Sequence, residues 1–181
     1  MPEPFISVAE LGDYLGQDLT DDEAAAIAVA GASDICRTIA EQRFDYVTDE
    51  IIELDGSGTD ALLLPELPVE SVSAVLIDEE SVNGWVLAAA GRLGTLYRRS
   101  RWPRGRQNVA VTYTHGYPPE EFPEDVRMVA LTIASRLFNQ RGPVEFESIG
   151  AYSVRYATQT QAPASALEMA ILRKYRRIKQ F

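Results

Sequence analysis

The sequence predicts an α+β protein, mainly a helical bundle with a small antiparallel β-sheet or barrel inserted into it and a C-terminal helix. Three observations point there. Capping-box signatures recur at Ser7 with Glu10, Thr20 with Glu23 and Ser165 with Glu168, each ahead of an apolar stripe at helical spacing. Residues 46–114 carry short period-two runs separated by Gly, Pro and Asp turns. Residues 107–142, QNVAVTYTHGYPPEEFPEDVRMVALTIASRLFNQRG, join the two textures as a strand, a tight turn and a long helix. The chain reads as one domain in four parts: N-terminal helices over 1–45, a β-rich insertion over 46–114, a core helix over 115–142, and a linker with a docking helix over 143–181.

Each element has its own signal. Ser7 caps a short helix that Gly16 ends after Leu15. Thr20 caps a second helix reaching about Arg43. Its stripe is Ala24, Ala28, Ile35 and Ile39, with Ala32 and Cys36 beside it. Small residues there admit a close neighbour, in the same chain or in another subunit. Thr48 to Leu54 is a strand candidate, and Asp55-Gly56-Ser57-Gly58 is a turn in which glycine supplies positive φ. Ala61 to Leu64 follows, and Pro65 and Pro68 bend the chain away. Val72 to Ile77 alternates as a strand that Asp78-Glu79-Glu80 ends, and Trp85 to Leu87 and Leu93 to Tyr97 are short strands.

A basic loop over 98–106 leads into the strand of Val109, Val111 and Tyr113, which alternate with Ala110, Thr112 and Thr114. Gly116 turns the chain, and Pro118, Pro119 and Pro123 delay the next helix until Glu124. Glu124 and Asp125 suit its positive end. Val126, Val129, Ala130, Ile133, Ala134 and Leu137 form its stripe, and Gly142-Pro143 stops it. Ser148 to Tyr156 reads as an extended segment or loop and 158–163 as a linker. The last helix carries Leu167, Ile171, Tyr175 and Ile178 on one stripe, with Arg173, Lys174, Arg176, Arg177 and Lys179 around it.

At 181 residues and 46% hydrophobic content the chain suits a single ordinary core. No run is apolar for the length of a bilayer, and MPEPFISVAELGDYLG lacks the regions of a signal peptide. That predicts a protein made in the cytosol, with no membrane partner. The net charge of −10 is unevenly spread. Residues 1–80 hold 20 acidic and 2 basic side chains, whereas 81–181 hold 7 acidic and 15 basic ones, hence −18 against +8. Opposite faces of this kind orient neighbouring copies or partners, or are simply solvated apart.

Catalytic constellations are scarce. His115 is the only histidine and stands at a strand-to-turn junction, which predicts a local hydrogen bond rather than a zinc or acid/base site. Cys36, the only cysteine, reads as a small buried side chain. Asp55 to Asp60 lacks the ligand spacing of an EF-hand, Gly56 and Gly58 open no helix, and Ser57 and Ser148 have no nucleophile-elbow context. No enzyme activity, metal or cofactor is expected. The better candidates are binding surfaces. One is the loop of Arg98, Arg99, Arg101, Trp102, Arg104 and Arg106. The other is the terminal helix of Leu167, Ile171, Arg173, Lys174, Tyr175, Arg176, Arg177 and Ile178. Both suit phosphates, which keeps a nucleic-acid-binding module open as an alternative. Docking on a protein ranks above it, because the whole chain is acidic.

Three blocks in this order carry a resemblance: an acidic capped helix pair, LDGSGTDALLLPELPVESVSAVLID, and RWPRGRQNVAVTYTHGYPPEEFPEDVRMVALTIASRLFNQRG. Together they resemble the head-to-tail connector, or adaptor, proteins of long-tailed double-stranded DNA bacteriophages, over residues 7–142. The resemblance implies a helical bundle with a β-rich insertion, assembled as a homo-oligomeric ring, typically a dodecamer. It implies a ring beneath the portal protein at the head–tail interface of the virion, built in the host cytoplasm. There it extends the channel for double-stranded DNA without sequence-specific binding and presents a surface to a stopper or tail-completion protein. It brings no catalytic residues.

Overall fold

The computed structural model describes residues 2–88, 93–139, 147–149, 152–154 and 164–176. Its contacts divide the chain into two units, Met1–Ile39 with Glu124–Lys174, and Ala40–Pro123 with Tyr175–Phe181. The α+β class stands. The expectation of a mainly helical bundle does not, because strands are about as abundant as helices and form two small antiparallel sheets besides a short hairpin. Only one of the two units is built of helices.

In the helical unit, α1 (Val8–Leu15) begins with the full capping box of Ser7 and Glu10 and ends on Gly16 at φ 67, a left-handed cap that glycine adopts without strain. The second helix, α2 (Glu23–Ala40), is capped by Asp22 rather than Thr20. The Thr20 hydroxyl is taken by Asp18 at 2.7 Å, whereas Asp22 Oδ1 accepts from the Ala24 and Ala25 N–H groups at 2.9 and 3.1 Å. Glu41 at φ 51 ends this helix short of Arg43. Its inner face is Ala25, Ala28, Val29, Ala32, Cys36 and Ala40, while Ala24, expected inside, is exposed. The third helix, α3 (Glu124–Asn139), buries Val126, Val129, Ala130, Ile133 and Ala134 as its spacing predicts, with Phe138 rather than Leu137 closing the stripe. Glu10 on α1 accepts from Arg127 on α3 at 2.9 Å.

The last helix of this unit, α4 (Ala166–Arg173), keeps the predicted box of Ser165 and Glu168. Its inner face lies one residue away from the predicted stripe. Glu168 and Leu172 are buried and Leu167 is 72% exposed. Arg136 on α3 supplies the reason, since its guanidinium takes both Glu168 oxygens at 3.0 and 2.8 Å and draws that carboxylate inward.

The β unit begins with β1 (Val47–Gly56) and β2 (Ala61–Leu63), followed by β3 (Val69–Ile77) and β4 (Glu80–Ser81). Three more strands complete it, β5 (Trp85–Leu87), β6 (Thr95–Arg98) and β7 (Gly105–His115). One sheet has the order β1-β7-β3-β4 and the other β2-β6-β5, antiparallel throughout. Their inner faces share one core of Leu62, Leu64, Val69, Val75, Leu96, Trp102, Val109, Val111 and Tyr113. The insertion is therefore a small two-sheet packing rather than one sheet or closed barrel. Gly56 is required where β1 meets the basic turn, because a Cβ there would lie 1.8 Å from the Pro103 carbonyl oxygen. Gly116, at φ 91, is required after β7, where a Cβ would lie 2.0 Å from the Asp45 carbonyl oxygen. The residues read as an extended segment include β8 (Glu147–Ile149) and β9 (Tyr152–Val154), paired as a hairpin.

Candidate functional site

The two basic segments differ in what their own chain does with them. The turn after β6 is a built structure. Trp102 donates its N–H to the Thr59 carbonyl at 2.7 Å and its indole Nε1–H to the Leu96 carbonyl at 3.2 Å. Arg98 N–H bonds the Asp60 carbonyl at 2.8 Å, and Arg101 N–H closes the turn on the Arg98 carbonyl. Trp102 is completely buried and Arg98 lies over its ring, 5.7 Å from the centroid. Trp102 thus anchors the turn instead of offering contact surface. Arg99, Arg101, Arg104 and Arg106 are exposed, and none has a carboxylate partner among the described residues. Beside the turn lies a cleft of about 570 Å³ whose lining includes Asp78, Glu80, Arg98 and Arg101.

In the terminal segment, Leu167 is 72% exposed, Ile171 is half-buried and Arg173 is exposed with no ion pair among the described residues. Lys174 lies 3.9 Å from Asp125 of α3. Tyr175 and Arg176 are engaged by the β unit. Tyr175 joins Phe44 and Tyr117 in an aromatic cluster, with ring centroids 5.6 and 6.3 Å away, and Arg176 pairs with Glu41. Arg177 and Ile178 lie outside the described residues. Leu167 and Arg173 are therefore outward groups of the predicted docking helix with no tie to the rest of the chain among the described residues.

The residues weighed for chemistry are structural. His115 is buried and its Nε2 lies 2.6 Å from Glu50 Oε2, a partner on the neighbouring strand rather than the local one expected from the turn. Its ring stacks on Tyr113 at 4.7 Å. Glu50 also meets Arg43 at 3.5 Å, and Arg43 meets Glu66 at 3.2 Å. Burial and the Glu50 charge push the Tyr113 hydroxyl above its ordinary range. Cys36 is buried, and desolvation together with the Glu168 charge pushes its thiol up to about 12, so at neutral pH it is an inert thiol. Asp55 Oδ1 accepts the Gln107 N–H at 2.8 Å, and Ser57 Oγ bonds the Ala61 carbonyl. No cluster of three metal-ligating side chains occurs among the described residues. No helix among them is long and apolar enough to cross a membrane.

This architecture matches known proteins of one kind. The family model described as "HCP: Head completion protein" matches residues 4–178. Among solved structures, a chain from the neck of an empty gene transfer agent particle, computed with C6 symmetry, superposes with TM-score 0.61 at 20% identity. That match covers 97% of this chain and 91% of the other. A chain from the native neck, computed with C12 symmetry, gives TM-score 0.59 at 18% identity over 100% and 97% of the two chains. One from the virion of the native particle gives 0.60 at 18% identity over 97% and 91%. No curated protein matches the sequence. With nearly its whole length covered by the family model, the chain belongs to the head completion protein family and is a structural head–tail adaptor.

Proposed function

We propose that this adaptor works as a closed ring beneath the portal, extending the DNA channel and presenting a surface to the next tail component. The observation that carries this reading is the family match over residues 4–178. The shared fold with neck chains whose particles were computed with C6 and C12 symmetry supports a ring. A ring needs a heterologous interface whose rotation closes. The uneven charge of the chain, −18 over residues 1–80 and +8 over 81–181, suits such head-to-tail contact. An acidic surface on a channel wall repels phosphate and lets DNA slide.

The portal is the partner of the terminal helix in this reading, through Leu167, Ile171 and Arg173 with Arg177 and Ile178 beyond. Lys174, Tyr175 and Arg176 hold the base of that segment to its own chain. The role is non-enzymatic. A free nucleic-acid-binding module is the less favoured reading, since the net charge of −10 opposes general affinity for DNA.

Electron microscopy of particles assembled without this chain tests the proposal. DNA-filled or leaking heads beside finished, unattached tails are expected; joined particles in normal numbers would overturn it. Leu167→Asp with Arg173→Glu is expected to leave the chain folded and absent from purified heads. Normal retention on heads would remove the terminal helix as the portal contact.

A further inference from the structure

In the three-stranded sheet, two successive rows of side chains that span all three strands are apolar. Leu62, Leu96 and Leu87 lie in register across β2, β6 and β5, with Leu62 and Leu96 fully buried and Leu87 half-buried in the core. Ala61, Tyr97 and Val86 form the adjacent register row and so point to the opposite face. Tyr97 is 47% and Val86 66% exposed. A solvated outer face of an antiparallel sheet is normally polar. Directly after β6 come Arg99, Arg101 and Arg104, which have no ion-pair partner among the described residues. Arg101 holds a left-handed φ of 58, a conformation glycine adopts at less cost, and it is fixed there by the buried Trp102. An exposed tyrosine followed in the chain by exposed arginines is the composition of an interface.

The helical unit carries a surface of the opposite sign. At the start of α2, Ile27 is 66% exposed beside Asp18, Asp21 and Glu23, which share with it the lining of an open cleft of about 820 Å³. None of these three carboxylates pairs with a cation among the described residues.

We propose that the Tyr97/Val86 face and its arginine turn dock into the Ile27 cleft of a second copy of the same chain. Each surface has an exposed apolar centre; the turn next to the first is rich in arginine, with Asp78 and Glu80 lining the cleft beside Arg101, and the charges of the second are wholly acidic. The contact is heterologous, with different patches on the two partners, so repetition generates a ring when the rotation closes. Burial of Tyr97, Val86 and Ile27 supplies the affinity and the arginine–carboxylate pairs fix register and direction. The inference rests on the ring reading above and names its subunit contact.

Oxidative cross-linking in assembled particles tests it. A chain carrying both Arg101→Cys and Asp21→Cys is expected to give a ladder of multimers on non-reducing gels, and each single variant only monomer. Monomers alone, in joined particles holding the normal amount of chain, overturn this contact while leaving the adaptor reading intact. Joined particles lacking the chain altogether overturn both. A charge exchange gives a second readout. Arg101→Glu with Arg104→Glu is expected to abolish incorporation into particles, and adding Asp18→Arg with Asp21→Arg to restore it. Circular dichroism of each purified variant should match the parent. Failure of the restoring pair, with steep salt-dependent binding of the parent to duplex DNA that the Glu variant loses, overturns the proposal in favour of a phosphate-binding turn.

Discussion

Two arginine-rich parts of this molecule look alike on paper and are used in opposite ways. Arg136 and Arg176 are spent on their own chain, one clamping buried Glu168 with two hydrogen bonds and the other pairing with Glu41 at the surface. Arg99, Arg101, Arg104 and Arg106 stand outward on a turn whose only buried side chain is Trp102, with no carboxylate partner among the described residues. Charge therefore says little until its partner is known. A paired arginine holds a helix in place, and an unpaired one on a rigid support is available to another molecule.

Breaking the supports gives the largest effects. Trp102→Ala removes a fully buried indole and leaves the Leu96 carbonyl without its donor, so it should cost about 3–5 kcal/mol in denaturant unfolding. Arg136→Met leaves the Glu168 carboxylate buried and unpaired, and about 3 kcal/mol of destabilisation is expected, read as loss of amide protection in α4. If both losses were below 1 kcal/mol, about the value of a surface pair, neither residue would be a support.

The same clamp makes a pH prediction. Burial alone would raise the Glu168 carboxyl, but the hydrogen bonds from Arg136 and Ser165 outweigh it and hold the group at about 2. Its folded value lies below the ordinary 4.5, so the clamp stabilises fully above about 4.5. That contribution is lost as pH falls toward about 2, and α4 should lose protection over that window. Glu168→Gln should remove the acid dependence of α4.

The smallest effects sharpen the comparison from the outward side. Arg176→Ala breaks an exposed pair and should cost about 0.2–1 kcal/mol. Arg99 and Arg104 meet no carboxylate among the described residues, so Arg99→Ala and Arg104→Ala should leave stability unchanged within about 0.5 kcal/mol while impairing assembly. A marked loss of stability at Arg104 would mean that the turn is held by its arginines.

Local chemistry was legible in the chain. The boxes at Ser7 and Ser165, the left-handed stop at Gly16 and the stripe of α3 each depend on residues within a turn or two of one another. So was the β texture of residues 46–114, from alternation and glycine turns, and so was the family, from the order of three blocks. Even locally, a competitor could win: Asp18 took the Thr20 hydroxyl and Asp22 became the cap.

Tertiary structure decided whatever depended on a distant partner. Arg136 lies 32 residues from Glu168 and turned α4 so that Leu167 faces out. Glu50 lies 65 residues from His115 and gave it a cross-strand partner. Trp102, set among arginines, read as surface until two sheets closed over it. Sequence determined which segments are helix or strand, because hydrogen bonding and side-chain periodicity act over short spacings. The faces buried, and the charges left unpaired, were decided by packing between segments far apart in the chain.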